Sequence, residues 1–514
     1  MTASPHSQAD VVDFLRSRRA WASTPDQIDV IETHGAIIFM AGDDVLKIKR
    51  AVKLPYLDFS TLASRRTFLD RELALNAPAA PGLYRGVVVI TREADGSLVI
   101  SGNGEPVEWA LAMRRFDQSA LLSKVVDAGT LARTLSEDLA DTIRRYHDAA
   151  PVAPASAERM DGTVEGVIAN LKRHEDAALG DAVEAFARGA RRNLDKTAEL
   201  RMRRAASGCV RRCHGDLHLG NIVIWQGKPV PFDALEFDET LATIDVLYDL
   251  AFLLMDLDRR GSRDAANVVL NRYLWRDATL QDIEGLAVLP LFLATRAAIR
   301  AMVALDRADA NADMENRPQL FAHARDTLRL AVHDLDPPPA RLTAIGGLSG
   351  TGKTTLAARL APSIGPAPGA LHLRSDLERK RLAGLEPEVR LPPDAYTATS
   401  SAQVYATLIA RAKAALGAGH SVILDAVYAN EHERRDVEAL AKRMGVAFSG
   451  IWLEGSGDVL KARIAARRND ASDATPAVVE KQLGYDLGAM TWTRIAAEGC
   501  TQDTVGAARE VLRL

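Results

Sequence analysis

The sequence predicts an α/β protein made of two different α/β parts, and three observations carry that expectation. At 514 residues the chain is longer than one hydrophobic core fills. Its N-terminal third opens with short alternating strands and then turns helical, the order of an α+β arrangement in two lobes. Beyond a run of prolines the pattern restarts as strand, glycine-rich loop and helix, the opening of a parallel sheet flanked by helices. The expected segments are a strand-rich lobe over 1–115, a helical lobe over 116–335, a proline linker over 336–340 and a phosphate-loop domain over 341–514.

In chain order, Asp10 to Trp21 reads as a short amphipathic helix. Ile28 to Lys49 reads as three strands that turn at His34-Gly35 and at Gly42-Asp43-Asp44. On the third strand Lys47 and Lys49 share a face by the period of two, so the pattern does not choose between them. Leu62 to Asn76 is expected as a helix with Leu62, Leu69 and Leu73 apolar and Glu72 beside them. Leu83 to Ile90 and Val107 to Met113 are further strands, joined through a hairpin at Asp95-Gly96. Ser119 to Ala206 and Thr240 to Val332 are helical. Arg201 to Arg212 carries five arginines with no aromatic residue between them. The reading is a solvated helix face, with a nucleic-acid contact as the alternative.

Between these helical stretches lies the most informative segment. His214-Gly215-Asp216 precedes two apolar runs, Ile222 to Trp225 and Val230 to Phe232, that flank a turn at Gln226-Gly227-Lys228. Asn221 stands five residues after Asp216, and Asp233 follows the second run. This is the layout of a kinase catalytic loop. An Asp accepts the proton of an attacking hydroxyl, an Asn five residues on holds magnesium, and an Asp beyond the hairpin holds magnesium again. A short loop presents Asp216 and Asn221 to one pocket, and the hairpin returns Asp233 opposite them.

The second informative segment follows Asp336-Pro337-Pro338-Pro339-Ala340, where successive prolines make a stiff, extended spacer. Gly347 to Thr354 fits G-x-x-x-x-G-K-[ST] between a strand and a helix. Backbone amides from Gly347, Ser349, Gly350, Thr351, Gly352 and Thr355 are expected to curl round phosphate. Lys353 would reach the β/γ-phosphates and the Thr354 hydroxyl would ligate magnesium. Leu371 to Asp376 reads as a strand ending in an acid, with Arg379 one turn on, and Ser421 to Asp425 as a buried strand ending in a second acid for magnesium. Leu460 to Arg468 reads as a helix, with Arg463 and Arg467 on one face. Read from the residues alone, Asp376 is a helix N-cap and the arginines a solvated helix face.

His214 to Asn221, with Phe232-Asp233 and Asp245 to Phe252, resembles the aminoglycoside phosphotransferase-like kinases, whose fold is the bilobal protein-kinase-like one. The resemblance implies that Lys47, with Glu72 as partner, orients phosphates and that Met113 to Phe116 is the hinge that meets adenine. It also implies that Asp249 buttresses the loop structurally. The chain has no G-x-G-x-x-G loop, and that family commonly lacks it too. The C-terminal part is similar to the gluconate kinase, chloramphenicol phosphotransferase and polynucleotide kinase group. There the resemblance implies that Asp376 is a base and that Arg463 and Arg467 form a lid. Together the halves resemble bacterial fusions of a phosphotransferase with an ATP-binding protein.

These resemblances imply an ATP-dependent phosphotransferase with two Mg·ATP sites, acting on hydroxyls of small molecules. The alternatives are a polynucleotide 5′-hydroxyl acceptor for the second part, or one part serving as an ATP sensor. Lys+Arg 64 against Asp+Glu 68 gives a net charge of −4, which offers no case for a nucleic-acid or membrane partner. The polar N-terminus does not read as a signal peptide, and no run approaches the roughly 18 apolar residues of a membrane span. Cys209, Cys213 and Cys500 lack metal-site spacing and suit a reducing cytosol, so a cytoplasmic protein is expected.

Overall fold

Alternation along the first three strands builds the N-terminal sheet. In the computed structural model, which describes residues 8–21, 26–33, 35–54, 57–174, 177–277, 279–310, 316–466 and 472–514, β1 is Ile28–Glu32, β2 Ala36–Ala41 and β3 Asp44–Lys49. With β4 (Tyr84–Arg92), β5 (Leu98–Ile100) and β6 (Glu105–Arg114) they form one antiparallel sheet in the order β1-β2-β3-β6-β4-β5. Leu46 and Ile48 of β3 join Phe39, Ile90 and Ala110 in a core on one face. Val45 takes the other face with Leu69 of the helix α1, Leu62–Asn76. By the period of two, Lys47 and Lys49 lie on that second face as well.

Thr61 caps α1, its hydroxyl accepting from the Ser64 N–H at 3.1 Å. The buried stripe of α1 is Arg65, Leu69, Glu72 and Asn76, spaced at four and three residues, so three of its four members are polar. The stripe is satisfied internally. Arg65 bonds Glu108, Asn76 accepts from the Ala234 N–H at 2.8 Å, and Glu72 takes the lysines of β3.

The catalytic-type hairpin has β7 at Ile222–Trp225 and β8 at Lys228–Pro231. Its two-residue loop, Gln226-Gly227, has φ of 51° and 78°, the positive values that tight antiparallel hairpins require. His34 of the expected first turn lies outside the described residues.

Two compact units result. One takes Met1–Leu131, Thr142–Ala153 and Val210–Asp249, and the other Ala132–Asp141, Pro154–Cys209 and Leu250–Leu514. The units therefore do not part at Pro337–Pro339. Within the second unit β9 (Arg341–Gly347), β10 (Leu371–Arg374), β11 (Val422–Asp425), β12 (Ala447–Glu454) and β13 (Thr493–Ala496) form a parallel sheet in the order β10-β11-β9-β12-β13. The helix α2 (Arg263–Trp275) closes the open edge of this sheet. Asn267 and Asn271 donate to Ala370 O at 3.1 and 3.3 Å, and Asn271 accepts from the His372 N–H at 2.6 Å. An uncovered edge strand invites pairing with other chains. Arg411, 1% exposed, adds bonds to Leu274 O and Asp277 O at 2.8 and 2.7 Å. These contacts explain why the helices after residue 250 belong with the parallel sheet.

Of the five arginines of 201–212, Arg203 is solvated, paired with Glu199 at 2.7 Å, but the other four do not form a solvated face with it. Arg201 is buried against Glu158 and Asp161 at 2.5 and 2.9 Å, and Arg204 against Gln281 O and Asp282 at 2.6 and 3.2 Å. Arg211 donates to carbonyls of His147, Asp148 and Ala150. Among the described residues no single helix is long and apolar enough to cross a membrane. The bent pair Gln281–Ala287 with Leu289–Asp309 passes that test only together, at 65°.

Arg411→Ala should cost roughly 3 kcal/mol of stability, because it removes charge-assisted bonds from two buried carbonyls. Chemical denaturation of the full chain measures this, and an unshifted midpoint would mean that water replaces the guanidinium.

Candidate active sites

In the first unit the loop 214–216 is held from below by one buried carboxylate. Asp249, fully buried, accepts the N–H groups of His214 and Gly215 at 3.0 and 2.9 Å. His147 Nε2 lies 3.2 Å from the same carboxylate. Gly215 has φ of 84°, and a Cβ there would meet Ala242 and Leu235 at 3.1 and 3.2 Å, so only glycine fits. Burial holds His214 below its ordinary pKa, against the pull of Asp249 and Asp216. Its neutral ring then donates from Nε2 to Phe232 O at 3.0 Å, while Nδ1 faces the Asp216 N–H at 3.4 Å.

Above this support stand the residues singled out in the sequence. Asn221 donates through Nδ2 to Asp216 Oδ2 and to Asp216 O, both at 3.0 Å. Asp233 sits at φ 61°, in the sparsely populated left-handed region, and its N–H donates to the Tyr84 hydroxyl at 3.1 Å. Its carboxylate meets Lys47 Nζ at 2.7 Å, and Lys47 reaches Glu72 Oε1 at 2.7 Å as well. Lys49 takes the other Glu72 oxygen at 2.6 Å and Glu236 at 2.5 Å. Of the two lysines, Lys47 is thus the one beside Asp233. Burial opposes its charge, but Asp233 and Glu72 outweigh that and raise its pKa well above the ordinary value. Burial would also raise Asp233, yet the Lys47 ammonium prevails and holds it below the carboxylate norm.

Asp216 and Asp233 side chains are 40% and 42% exposed, open to an incoming ion. With the Asn221 amide they offer only oxygen ligands on this face, the donor type that magnesium takes. Met113 lies inside β6, opposite Val45 and Tyr84, and its side chain packs in the core with Leu69 and Leu83.

The second site surrounds a cavity of about 350 Å³ in the second unit. The loop after β9 lines it from Ser349 to Thr355 and leads into α3, Lys353–Leu360, so the N-terminal, positive end of the α3 dipole lies at the cavity. Gly347 stands just before this loop. Gly350 has φ of 91°, and a Cβ would come within 2.8 Å of Leu460 O. Lys353 Nζ folds onto Leu348 O at 2.9 Å, closing the loop on itself. Thr354 Oγ1 donates to Asp425 Oδ2 at 2.7 Å. Burial alone would raise Asp425, but its bond to His372 and the charges of Lys353 and Arg374 pull it down to about 2. An ionised carboxylate beside a hydroxyl fits magnesium here too.

Asp376 lines the same cavity, but not at a strand end. β10 stops at Arg374, and Asp376 is the second residue of α4, Ser375–Leu382, where an acid suits the helix dipole. Burial raises its pKa, Arg374 opposes that, and the Ser472 hydroxyl bonds it. Arg379 is spent on Ala395 O and on Ser401. Arg463, on α5 (Gly457–Ala465), lines the cavity but donates to Ala497 O, Glu498 O and Gly499 O at 2.6, 3.4 and 3.3 Å. It braces the wall before Thr501 and belongs to no exposed helix face. Arg467 lies outside the described residues, as does Arg468. Arg374, Ser472 and the Lys49–Glu236 pair were missed in the sequence. Only the two lysines on one face hinted at a second acid.

Two kinase architectures in one chain define a phosphotransferase enzyme. Residues 100–289 match the phosphotransferase enzyme family, and residues 342–485 match a family described as AAA domain, the P-loop kinase part. The chain is 30% identical over 505 residues to Uncharacterized protein Rv2004c of Mycobacterium tuberculosis (strain ATCC 25618 / H37Rv). It is equally similar to Uncharacterized protein Mb2027c of Mycobacterium bovis, and both matches cover 95% of this chain and 95% of the relative. The chain belongs to the family of these proteins. Among solved structures, it is similar to the GDP complex of aminoglycoside 2′-phosphotransferase-IIIa (12% identity, TM-score 0.39, 64% of this chain and 99% of that one). It is also similar to a gluconokinase from Sinorhizobium meliloti 1021 (18% identity, TM-score 0.25, 34% and 92%).

The two lysines should separate by assay. Lys47→Ala should reduce first-site turnover by roughly 10²–10³-fold, the worth of one preorganised electrostatic contact. Lys49→Ala leaves Glu236 buried without its cation and should cost roughly 3–5 kcal/mol of stability. Turnover measured with the P-loop disabled, beside denaturation midpoints, distinguishes them, and equal effects on both readouts would refute the division.

Proposed function

We propose that the protein carries two Mg·ATP sites, each transferring the γ-phosphate to a hydroxyl of a small molecule. The observation that carries this reading is the first site's geometry: Asp216 tied to Asn221 at 3.0 Å and Asp233 facing Lys47 at 2.7 Å. Asp216 accepts the proton of the acceptor hydroxyl. Asn221 and Asp233 hold the metal, Lys47 with Glu72 orients phosphate, and the hinge from Met113 meets adenine. In the second site the expected cradle of Gly347 to Thr355 is narrowed to the backbone of Gly350, Gly352 and the start of α3, with Lys353 on the β/γ-phosphates, because the N–H groups of Gly347, Ser349 and Thr351 already bond Val427 O, Gln482 Oε1 and Leu348 O. Thr354 and Asp425 serve the metal, and Asp376 is the base. Arg463 shapes the nucleotide wall, and Arg467 is the candidate lid arginine. Magnesium, when bound, neutralises charge on the moving phosphate oxygens.

Support for small-molecule acceptors comes from the arginines of 201–212, whose members Arg201 and Arg204 are held internally and form no basic strip for a polynucleotide. The functional division falls at the proline run, with one complete set of nucleotide residues on each side of it. The Cys209 and Cys213 thiols donate to Gln281 Oε1 and Ile244 O, and thiols kept reduced in this way suit the cytoplasmic setting proposed here.

A screen of metabolite pools with labelled ATP, read as a phosphate mass shift, identifies acceptors. Asp216→Asn should reduce first-site transfer by roughly 10²–10⁴-fold and leave second-site turnover unchanged. Lys353→Ala should reduce second-site turnover by roughly 10²–10³-fold and leave the first unchanged. If either single variant abolishes all ATP consumption, the sites do not work independently.

A pH profile tests Asp376. Burial raises its pKa above 3.8, so the ionised, proton-accepting form is lost as pH falls through that raised value. Second-site turnover should therefore have an acid limb above the ordinary carboxylate range, and Asp376→Asn should remove the limb together with most of the rate. A limb that survives in Asp376→Asn would assign the base elsewhere.

A further inference from the structure

A chain of hydrogen bonds runs from α2 to the phosphate loop through the back of the second site. Asn267 and Asn271 both donate to Ala370 O, and Asn271 Oδ1 accepts the His372 N–H at 2.6 Å. Asn271 is itself fixed by bonds to Asn267 O and Oδ1 at 2.9 and 3.0 Å. The His372 side chain, 7% exposed, points from β10 across the sheet, and its Nε2 lies 3.2 Å from Asp425 Oδ2. That same oxygen accepts from Thr354 Oγ1 at 2.7 Å. One carboxylate oxygen is thus gripped from the loop side and from behind.

We propose that His372 is a positioning residue of the second nucleotide site. It holds the Asp425 carboxylate turned toward Thr354, and Asn271, within the phosphotransferase-matched span, holds His372 in register. The proposal rests on the reading that Thr354 and Asp425 serve a magnesium nucleotide. A carboxylate on a short side chain at a strand end rotates about χ2 unless something fixes it. Partners behind metal-binding groups do this, and losing one costs roughly 10–100-fold in metal affinity or activity. Asp425 lines the cavity whereas Asn271 and His372 are not among its lining residues, so on this proposal their effect passes through Asp425. The second site is consequently braced by a helix from the other half of the sequence.

The test uses the full chain with Lys47→Ala and Asp216→Asn, which suppress first-site turnover, and any binding left at the first site is set as a fixed baseline by the same titrations of a further variant that also carries Lys353→Ala. A non-hydrolysable ATP analogue is titrated calorimetrically with and without Mg²⁺, beside steady-state turnover. His372→Leu should leave affinity without Mg²⁺ unchanged and reduce the gain that Mg²⁺ gives by roughly 10–100-fold, with a similar fall in kcat. His372→Gln, whose amide nitrogen can donate to Asp425, should recover most of both. Asn271→Ala should move the Mg²⁺-dependent gain in the same direction by a smaller factor. Equal losses with and without Mg²⁺, an unchanged gain in His372→Leu, or no recovery in His372→Gln would overturn the proposal. Asp425→Asn serves as the reference. If it abolishes the Mg²⁺ gain and His372→Leu does not, only this proposal falls. If it leaves the gain intact, the magnesium reading of the site falls first, and this one with it.

Discussion

Glu72 is the residue on which the first site depends. Its two oxygens are divided between two lysines, so one carboxylate fixes both cations of β3 in place. Each lysine then reaches onward, Lys47 to Asp233 and Lys49 to Glu236, and the segment after the hairpin is pinned at both ends. Buried charges are tolerated only in such closed arrangements, because a lone ion in the interior loses its hydration with nothing in return. The cluster holds two lysines against three carboxylates. Burial accordingly pushes Glu236 above its usual range, even with Lys49 beside it. A site with excess negative charge at its rim, where Asp233 is 42% exposed, favours an incoming cation.

Asp249 supplies the complementary constraint. Fully buried, it holds two successive backbone amides of the loop that bears Asp216. A buried carboxylate that accepts backbone hydrogen bonds is strongly fixed, and the loop inherits that rigidity. In the second unit Asp425 is fixed in a similar way, by a hydroxyl and an imidazole. Both sites therefore place side chains with catalytic potential on carboxylate-anchored scaffolds, although one is built from an antiparallel hairpin and the other from a parallel sheet.

What the sequence disclosed was local. The strands over 28–49 and the helix over 62–76 follow from periodicity, and the two loops follow from spacing within a few residues. What it withheld was long-range. Lys47 and Lys49 share a face, and only the fold's placement of Asp233, almost two hundred residues on, separates them. The buried stripe of α1 is polar at Arg65, Glu72 and Asn76, so a search for apolar positions misses three of its four members. Arg201 and Arg204 looked solvated because their acidic and carbonyl partners lie tens of residues away. Asp376 reads both as the end of a strand and as a helix N-cap, and the helix in fact begins at Ser375 with Asp376 as its second residue.

The asparagine amides of α2 that close the side of β10 also bear on how such a chain could have arisen. A free-standing domain with a parallel sheet must protect its outermost strand by its own means, with charges, a bulge or a short strand. Here that protection comes from a helix encoded about a hundred residues earlier. Severed from its companion, the C-terminal half would present a bare ribbon of backbone donors and acceptors and would tend to assemble with copies of itself. Covering that edge is a structural reason for the two halves to remain in one chain, independent of any exchange of substrate between them.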